Sequence, residues 1–424
     1  MKHQITTLKN GLRVVTADIP GSYSATISIT AGVGSRYENF AKNGGVSHFL
    51  EHLLFKGTKN RPSAKIISEQ IDAVGGWNNA YTSNELTNYY VKVPHQHINL
   101  GLDILADMVK NSLLDEDEIN RERDVILEEM NVYQDDPASY VHRLTPELLW
   151  PDHPLAHEII GSPEVIKSVS RQEIVDYLET YYQPSNLVVT ASGKVDHAAV
   201  VAEVERLMGD LVDKPVPEAA KLSRELSDAL TNSIKKDTAQ AHILISTVAY
   251  PYRHANDPAA RVLTAILGRG MSSRLFLNVR ESKGLAYSIS ASLDNYVDSG
   301  QFDVYAGVNI DKTQDAITAI VEELKIIATQ PVGVEELEKA KNQIKGGLQM
   351  AMENNTAVTD RLATQLTLLG EVRTIDQTLA EIDAVTVEDV QRVGAEMLEL
   401  GRLRFGIISP EPDVAVEHFK KLVQ

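Results

Sequence analysis

The chain reads as two distant copies of one design, and this duplication narrows its possible folds more than any other feature. A run at 212–232, opening Val212-Asp213-Lys214-Pro215-Val216-Pro217-Glu218, mixes charge with proline and reads as a linker. Before it, apolar periodicity predicts a strand at 25–30, a short helix around 46–54, a strand at 88–93, helices at 100–111 and 116–133, and a closing strand at 187–193. After it the same order returns: strand 242–247, helix 260–267, strand 302–306, helices 313–328 and 334–352, and strand 403–408. The 424 residues are too many for one ordinary core. Two similar domains are expected, 1–211 and 233–424, joined by 212–232.

The copies differ where reactive side chains concentrate. His48-Phe49-Leu50-Glu51-His52 spells H-x-x-E-H, the inverse of the H-E-x-x-H metal signature. Histidines four apart share one helix face and can reach one ion, with Glu51 beside it. Val46, Phe49, Leu50, Leu53 and Leu54 fall on the opposite side, so the helix can bury one face and present three groups on the other. Gly44-Gly45 and Gly57 bound the segment. The set points to metal-assisted peptide hydrolysis; the bland alternative is two surface histidines flanking a glutamate. Laying 49–54 on 262–267 matches the apolar positions but puts Arg261, Thr264 and Ala265 where His48, Glu51 and His52 stand. The second copy is therefore expected to lack the metal chemistry. His153 and His157 are also four apart, but they enclose Pro154, follow Pro151 and have no glutamate between them, so they read as a loop. His95 and His97, after Pro94, read as ordinary polar residues.

A catalytic zinc usually takes three protein ligands and leaves one position for water. The chain has no cysteine, which excludes disulfides, thiolate metal sites and cysteine nucleophiles and makes a carboxylate the expected third ligand. The acidic helix at 115–130 offers many. Ile119, Ile126, Met130 and Tyr133 mark its apolar side; Glu122 and Glu129 lie at the edge of that side, while Glu128 faces away. A carboxylate at a core edge needs a partner. Ala340 and Gly347 take these two positions in the second copy, so the acids vanish with the histidines. Glu129 is expected as ligand and Glu122 as the residue orienting a histidine. The alternative for Glu122 is a surface salt bridge with Arg121 or Arg123.

Net charge is −18, from 41 basic and 59 acidic residues, which disfavours nucleic acid as a partner and mainly aids solubility. No run of about 18 apolar residues is present, so no membrane span is expected. The N-terminal residues have no apolar signal core, and a cytoplasmic location is expected.

These motifs resemble the M16 metallopeptidases (pitrilysin, insulin-degrading enzyme and the mitochondrial processing peptidase), with a length similar to the short bacterial processing-peptidase-like members. The family joins H-x-x-E-H to a downstream E-R-x-x-x-x-x-E, matched by Glu122-Arg123-Asp124-Val125-Ile126-Leu127-Glu128-Glu129. Gly44-Gly45, 55–58 and 75–83 are similar as well. The resemblance implies an α+β fold of two structurally similar domains, each a mostly antiparallel sheet packed with helices (LuxS/mitochondrial-processing-peptidase-like). It implies one Zn²⁺ per chain on His48, His52 and Glu129, with Glu51 as general base and Glu122 supporting the site. It further implies that Asn79, Ala80 and Tyr81 form an edge strand that pairs with substrate backbone. Arg280 and Tyr287, in the copy without zinc ligands, would hold substrate and stabilise the oxyanion. Read alone, Arg280 and Tyr287 carry no signal, and 79–81 is an ordinary turn and strand.

The resemblance also implies a dimeric clamshell in which the arginine and tyrosine of one chain serve the zinc site of the other. Since this chain carries both, a homodimer is expected to suffice; pairing with an unlike subunit is the alternative. The run 267–273 reads as a simple turn; the alternative is a flexible loop at the chamber mouth. The expected function is zinc-dependent hydrolysis of unfolded peptides or peptide extensions. The competing expectation is a non-catalytic scaffold or peptide-binding subunit.

Overall fold

In the computed structural model, which describes residues 2–222 and 226–424, the strands fall into a six-stranded and a five-stranded sheet. The first contains β1 (Gln4–Thr7), β2 (Arg13–Asp18), β3 (Ser24–Ala31), β4 (Trp77–Thr82), β5 (Thr87–Pro94) and β6 (Leu187–Gly193), in the order β1-β2-β6-β3-β5-β4. The second contains β7 (Thr231–Lys235), β8 (Ala241–Ala249), β9 (Ala286–Asn295), β10 (Gly300–Val308) and β11 (Arg404–Ser409), in the order β7-β11-β8-β10-β9. Leaving out β1, the two orders correspond strand for strand. In both sheets one neighbouring pair is parallel, β2 with β6 and β7 with β11, and the other pairs are antiparallel. The expected α+β architecture of two similar sheets with helices is the observed one.

Alternation along β3 explains the layering of the first unit. Ala25, Ile27, Ile29 and Ala31 enter a large apolar core shared with the helices Val46–Leu54, Ile98–Asn111 and Glu116–Asp135. The intervening Thr26 lies on the other face, and there Thr26 and Ser192 hydrogen-bond to Thr356 and Thr359 of the helix Asn355–Leu369. Val358, Leu362 and Leu366 of that helix pack on Val15, Ala17 and Val188. The sheet is therefore buried on both faces, which is why β3 and β6 are covered along nearly their whole length.

The second unit is built alike, with Ile243, Ile245, Phe302, Val304, Phe405 and Ile407 among the residues of its main core. Its opposite face is covered by a piece of the preceding half: Val141 and Leu144 pack on Leu244 and Ile408, and the Thr145 and Ser246 hydroxyls meet at 2.8 Å.

The compact units are thus not contiguous in sequence. One comprises the residues up to Met130, His157–Ala220 and Gln349–Ile375; the other comprises Asn131–Ala156, Lys221–Leu348 and Asp376–Gln424. Each sheet takes the cover for one face from the other half of the chain. Apolar periodicity marks a segment as amphipathic without naming the sheet it covers. Between the halves, residues 211–222 form neither helix nor strand. No helix among the described residues is long and apolar enough to cross a membrane.

Candidate metal centre

The helix Val46–Leu54 carries the motif and is set at its start by two features. Gly45, its N-cap, has φ 94°, and a Cβ there would lie 2.4 Å from the Ile160 carbonyl oxygen, so only glycine fits. The buried Glu38 carboxylate accepts the Gly45 and Ser47 backbone N–H groups at 2.7 and 2.6 Å, satisfying donors that a helix start leaves open. Val46, Phe49, Leu50, Leu53 and Leu54 are buried while His48, Glu51 and His52 are only partly covered, as the helical wheel requires.

The helix Glu116–Asp135 supplies the third donor. Ile119, Ile126 and Met130 are buried, Glu122 is 5% exposed, Glu129 is half-buried and Glu128 is exposed. The expected apolar stripe stops at Met130: Tyr133 is 38% exposed and lies under the Arg143 guanidinium at 5.0 Å, counted with the second unit.

His48, His52 and Glu129 are brought together, each offering one ligand atom within 4.8 Å of the others. His48 Nε2 and His52 Nε2 lie 3.8 and 3.6 Å from Glu129 Oε2. Ligand bonds of about 2.0–2.2 Å in tetrahedral geometry place two ligand atoms roughly 3.3 Å apart, so this donor set fits a zinc ion with small adjustments. Burial, and secondarily the neighbouring His52, push the His48 imidazole down to about 3. It is therefore neutral near pH 7, the form that donates a lone pair. Among the described residues this is the one group of three such side chains.

Around the three donors, contacts set orientation. His52 Nδ1 lies 3.1 Å from Glu122 Oε2, and Lys56 Nζ holds Glu122 Oε1 at 2.5 Å. Burial alone would raise the Glu122 carboxyl, but the His52 and Lys56 contacts hold it below the usual carboxylate range. Arg121 and Arg123 are engaged elsewhere, on Glu118 and on the Ile166 and Val169 carbonyls. His48 Nδ1, by contrast, is buried without a hydrogen-bond partner.

Glu51 lies beside the group. Burial raises its carboxyl, partly offset by the Thr82 hydroxyl, which donates to Oε2 at 2.6 Å. Thr82 ends β4, so this bond ties to Glu51 the strand that carries Asn79, Ala80 and Tyr81, which lies on the edge of the sheet. Asn79, Ala80 and Tyr81 pair with Tyr90, Tyr89 and Asn88 on one side only. The Tyr81 hydroxyl donates to Asp360, and the Ala80 N–H is met by Asn79 Oδ1 at 2.9 Å. Arg280 and Tyr287 belong to the second unit. Arg280 sits over the Phe276 ring at 4.8 Å, and Tyr287, at the start of edge strand β9, is 63% exposed.

Thr82, Lys56 and Glu38 also shape the site, although the motif spacing assigns them no role. Lys56 stands four residues after His52, a spacing that was available as a signal. Thr82 stands in the family-like stretch 75–83 but nothing there marks its contact, and Glu38 has no signal, because both contacts depend on where β4 and the helix start are brought. The rival histidines play local roles: His153 Nδ1 accepts the Leu155 N–H at 3.1 Å, His157 stacks on Phe40 at 4.1 Å, and His95 and His97 form a single 3-10 turn. In the second copy Arg261 is paired with Asp257 at 3.0 Å, Thr264 donates to the Ala260 carbonyl, and Arg269 lies where a side chain on Gly347 would project.

Comparison with known proteins shows the family of the chain. Residues 13–163 match the model of the insulinase family (peptidase family M16), and residues 168–344 match that of the M16 inactive domain. An uncharacterized zinc protease of Bacillus subtilis, YmxG, is 35% identical over 391 residues, covering 92% of this chain and 94% of the relative. An uncharacterized zinc protease of Streptomyces coelicolor is 37% identical over 414 residues, covering 96% and 90%. The crystal structure of a protease from Helicobacter pylori superposes with TM-score 0.88 at 25% identity, over 96% of this chain and 99% of that one. A Pseudomonas fluorescens structure titled as an M16 inactive domain shares the fold at TM-score 0.88 and 16% identity, over 97% and 99%. The two-sheet fold is that of M16 peptidase-like proteins. The chain belongs to peptidase family M16.

Proposed function

We propose that the chain is a zinc-dependent endopeptidase that hydrolyses unfolded peptides or peptide extensions. The observation that carries this reading is the convergence of His48, His52 and Glu129 with Glu51 beside them. His48, His52 and Glu129 would hold one Zn²⁺ per chain, and Glu122 keeps the His52 ring oriented. Zinc held there would supply a Lewis acid and an acidified water.

The protein's own part is proton handling and placement. Glu51, half-buried, is the general base: Thr82 orients its carboxyl, which takes a proton from the attacking water and returns it to the leaving amine. Substrate adds as an extended strand along Asn79–Tyr81, where β4 has an open edge. With the Tyr81 hydroxyl engaged by Asp360, this stretch would offer mainly backbone groups, which suits a sequence-tolerant site. Tyr287 and Arg280 stabilise the oxyanion and hold substrate. We assign them to the partner chain of a homodimer, each chain carrying both halves of the equipment.

The test is cleavage of an internally quenched, basic, unstructured peptide, with and without chelator, beside Glu51→Gln. Cleavage by the wild type that chelator abolishes, with Glu51→Gln retaining zinc but losing about 10²–10⁴-fold in turnover, supports the assignment. An active Glu51→Gln protein refutes the base, and metal-free protein without cleavage refutes the enzyme.

A further inference from the structure

A buried polar cluster of the first unit, separate from the donor group, centres on Asp107 in the helix Ile98–Asn111. The Asp107 carboxylate accepts four side-chain hydrogen bonds: from the Thr58 hydroxyl, from Asn60 Nδ2 at 2.7 Å, from Arg61 Nη1 at 2.9 Å and from Asn111 Nδ2 at 2.9 Å. Thr58 and Arg61 are buried as well. Arg61 also donates to Asp103 Oδ2 at 2.5 Å and to Gln70 Oε1 at 2.7 Å, and the Thr58 hydroxyl accepts the Arg61 backbone N–H at 2.9 Å. Removing one partner of a buried charge pair leaves the other uncompensated, so the cluster holds its members in one arrangement.

The stretch it holds, 55–61, leaves the histidine-bearing helix Val46–Leu54 directly. Backbone bonds extend the attachment. The Lys59 N–H donates to the Asn111 carbonyl and the Leu113 N–H to the Gly57 carbonyl, each at 3.0 Å, and Thr58 bridges to Ser112. Ser112 and Leu113 lie in the short connection to the helix Glu116–Asp135, which carries Glu122 and Glu129. The exit of the histidine helix and the entry of the glutamate helix are thus pinned to each other. Lys56 stands two residues before the buried Thr58. Its Nζ holds Glu122 Oε1 at 2.5 Å, while Glu122 Oε2 lies 3.1 Å from His52 Nδ1. A lysine stem is flexible, so its aim at one carboxylate depends on where its backbone is fixed. The contacts run from Asp107 to Thr58 and Arg61, along the stretch to Lys56, and on to Glu122 and His52.

We propose that Asp107 is a positioning residue for the metal centre, acting through Thr58 and Lys56 on Glu122 and His52. The proposal rests on the zinc reading above. A cluster that served folding alone would lower stability when broken and leave the metal affinity of the folded protein unchanged; a positioning cluster lowers both.

The test is zinc affinity of the folded full chain, by competition with a chromophoric chelator, beside denaturant unfolding of the metal-free forms. Asp107→Asn should weaken zinc binding about tenfold. Thr58→Val, which removes the hydroxyl at nearly constant volume, should weaken it several-fold, and Thr58→Ser should keep wild-type affinity; this pair decides where Asp107→Asn does not fold. In a Lys56→Met background, itself weakened, Asp107→Asn should cost less than about twofold more, because its route is already cut. Wild-type affinity in both Asp107→Asn and Thr58→Val, whatever their stability, overturns the proposal, as does the full loss persisting in the Lys56→Met background. A wild type that binds no zinc overturns the zinc reading itself, and this proposal with it.

Discussion

Thr82 Oγ1 donates to Glu51 Oε2 at 2.6 Å, tying the last residue of the edge strand β4 to the helix Val46–Leu54. One bond thus orients the proposed base and sets the proposed substrate strand beside it. A hydrogen bond to a charged group contributes about 1.5–3 kcal/mol, so Thr82→Ala should lower kcat by about 10–100-fold while zinc content is unchanged. Thr82→Ser should keep most of the activity. Steady-state kinetics with metal analysis decides; wild-type kcat in Thr82→Ala would remove Thr82 from the machinery.

Glu122 receives His52 on one oxygen and Lys56 on the other. Glu122→Gln should weaken zinc binding by about 10–100-fold, measured by competition with a chromophoric chelator. Unchanged affinity would reduce Glu122 to a partner of Lys56 alone.

Glu38 gives a pH signature of stability. Burial pushes its carboxyl up to about 7, against the opposing hydrogen bonds from Ser47 and Gly45. A folded-state value above the unfolded one of about 4.5 means that the folded protein binds the proton more tightly. The contribution is therefore fully present below about pH 4.5, is lost as pH rises to about 7, and is flat beyond, amounting to on the order of 3 kcal/mol. Denaturant unfolding of metal-free wild type and Glu38→Gln across this window should show the wild type losing stability relative to the variant as pH rises. Parallel curves would contradict the assignment.

Gly45→Ala asks for a Cβ at φ 94° against the Ile160 carbonyl. It should lower unfolding stability by about 1–3 kcal/mol, read from the midpoint of chemical denaturation. An unchanged midpoint would mean that the helix start shifts freely.

Sharing of sites between chains is testable by mixing. Glu51→Gln and Arg280→Ala proteins, each at least about tenfold impaired alone, should regain activity together once subunits exchange. Exchange demonstrated by mass, without recovery, would argue for a site built within one chain.

The helix Val46–Leu54 was readable because its two faces are written locally. Five apolar residues and three reactive ones alternate at the helical period, and the core simply receives the apolar side. Glu122, Glu128 and Glu129 separated by the same rule. Tyr133 did not follow it, since an aromatic ring at helical spacing can equally lie under an arginine in partial solvent, as it does with Arg143.

Sequence by itself determined the repeat, the positions of the six elements read in each half and the candidate donor residues, because periodicity and spacing are local properties of the backbone. Tertiary structure alone decided which segment covers which sheet face, Asn355–Leu369 on the first and the stretch around Val141 and Leu144 on the second. It also decided that Thr82 reaches Glu51 and that Lys56 is held by Glu122 rather than by solvent. Those outcomes depend on the path of the chain between distant residues, where many arrangements bury similar apolar area and the packing of the whole core selects one.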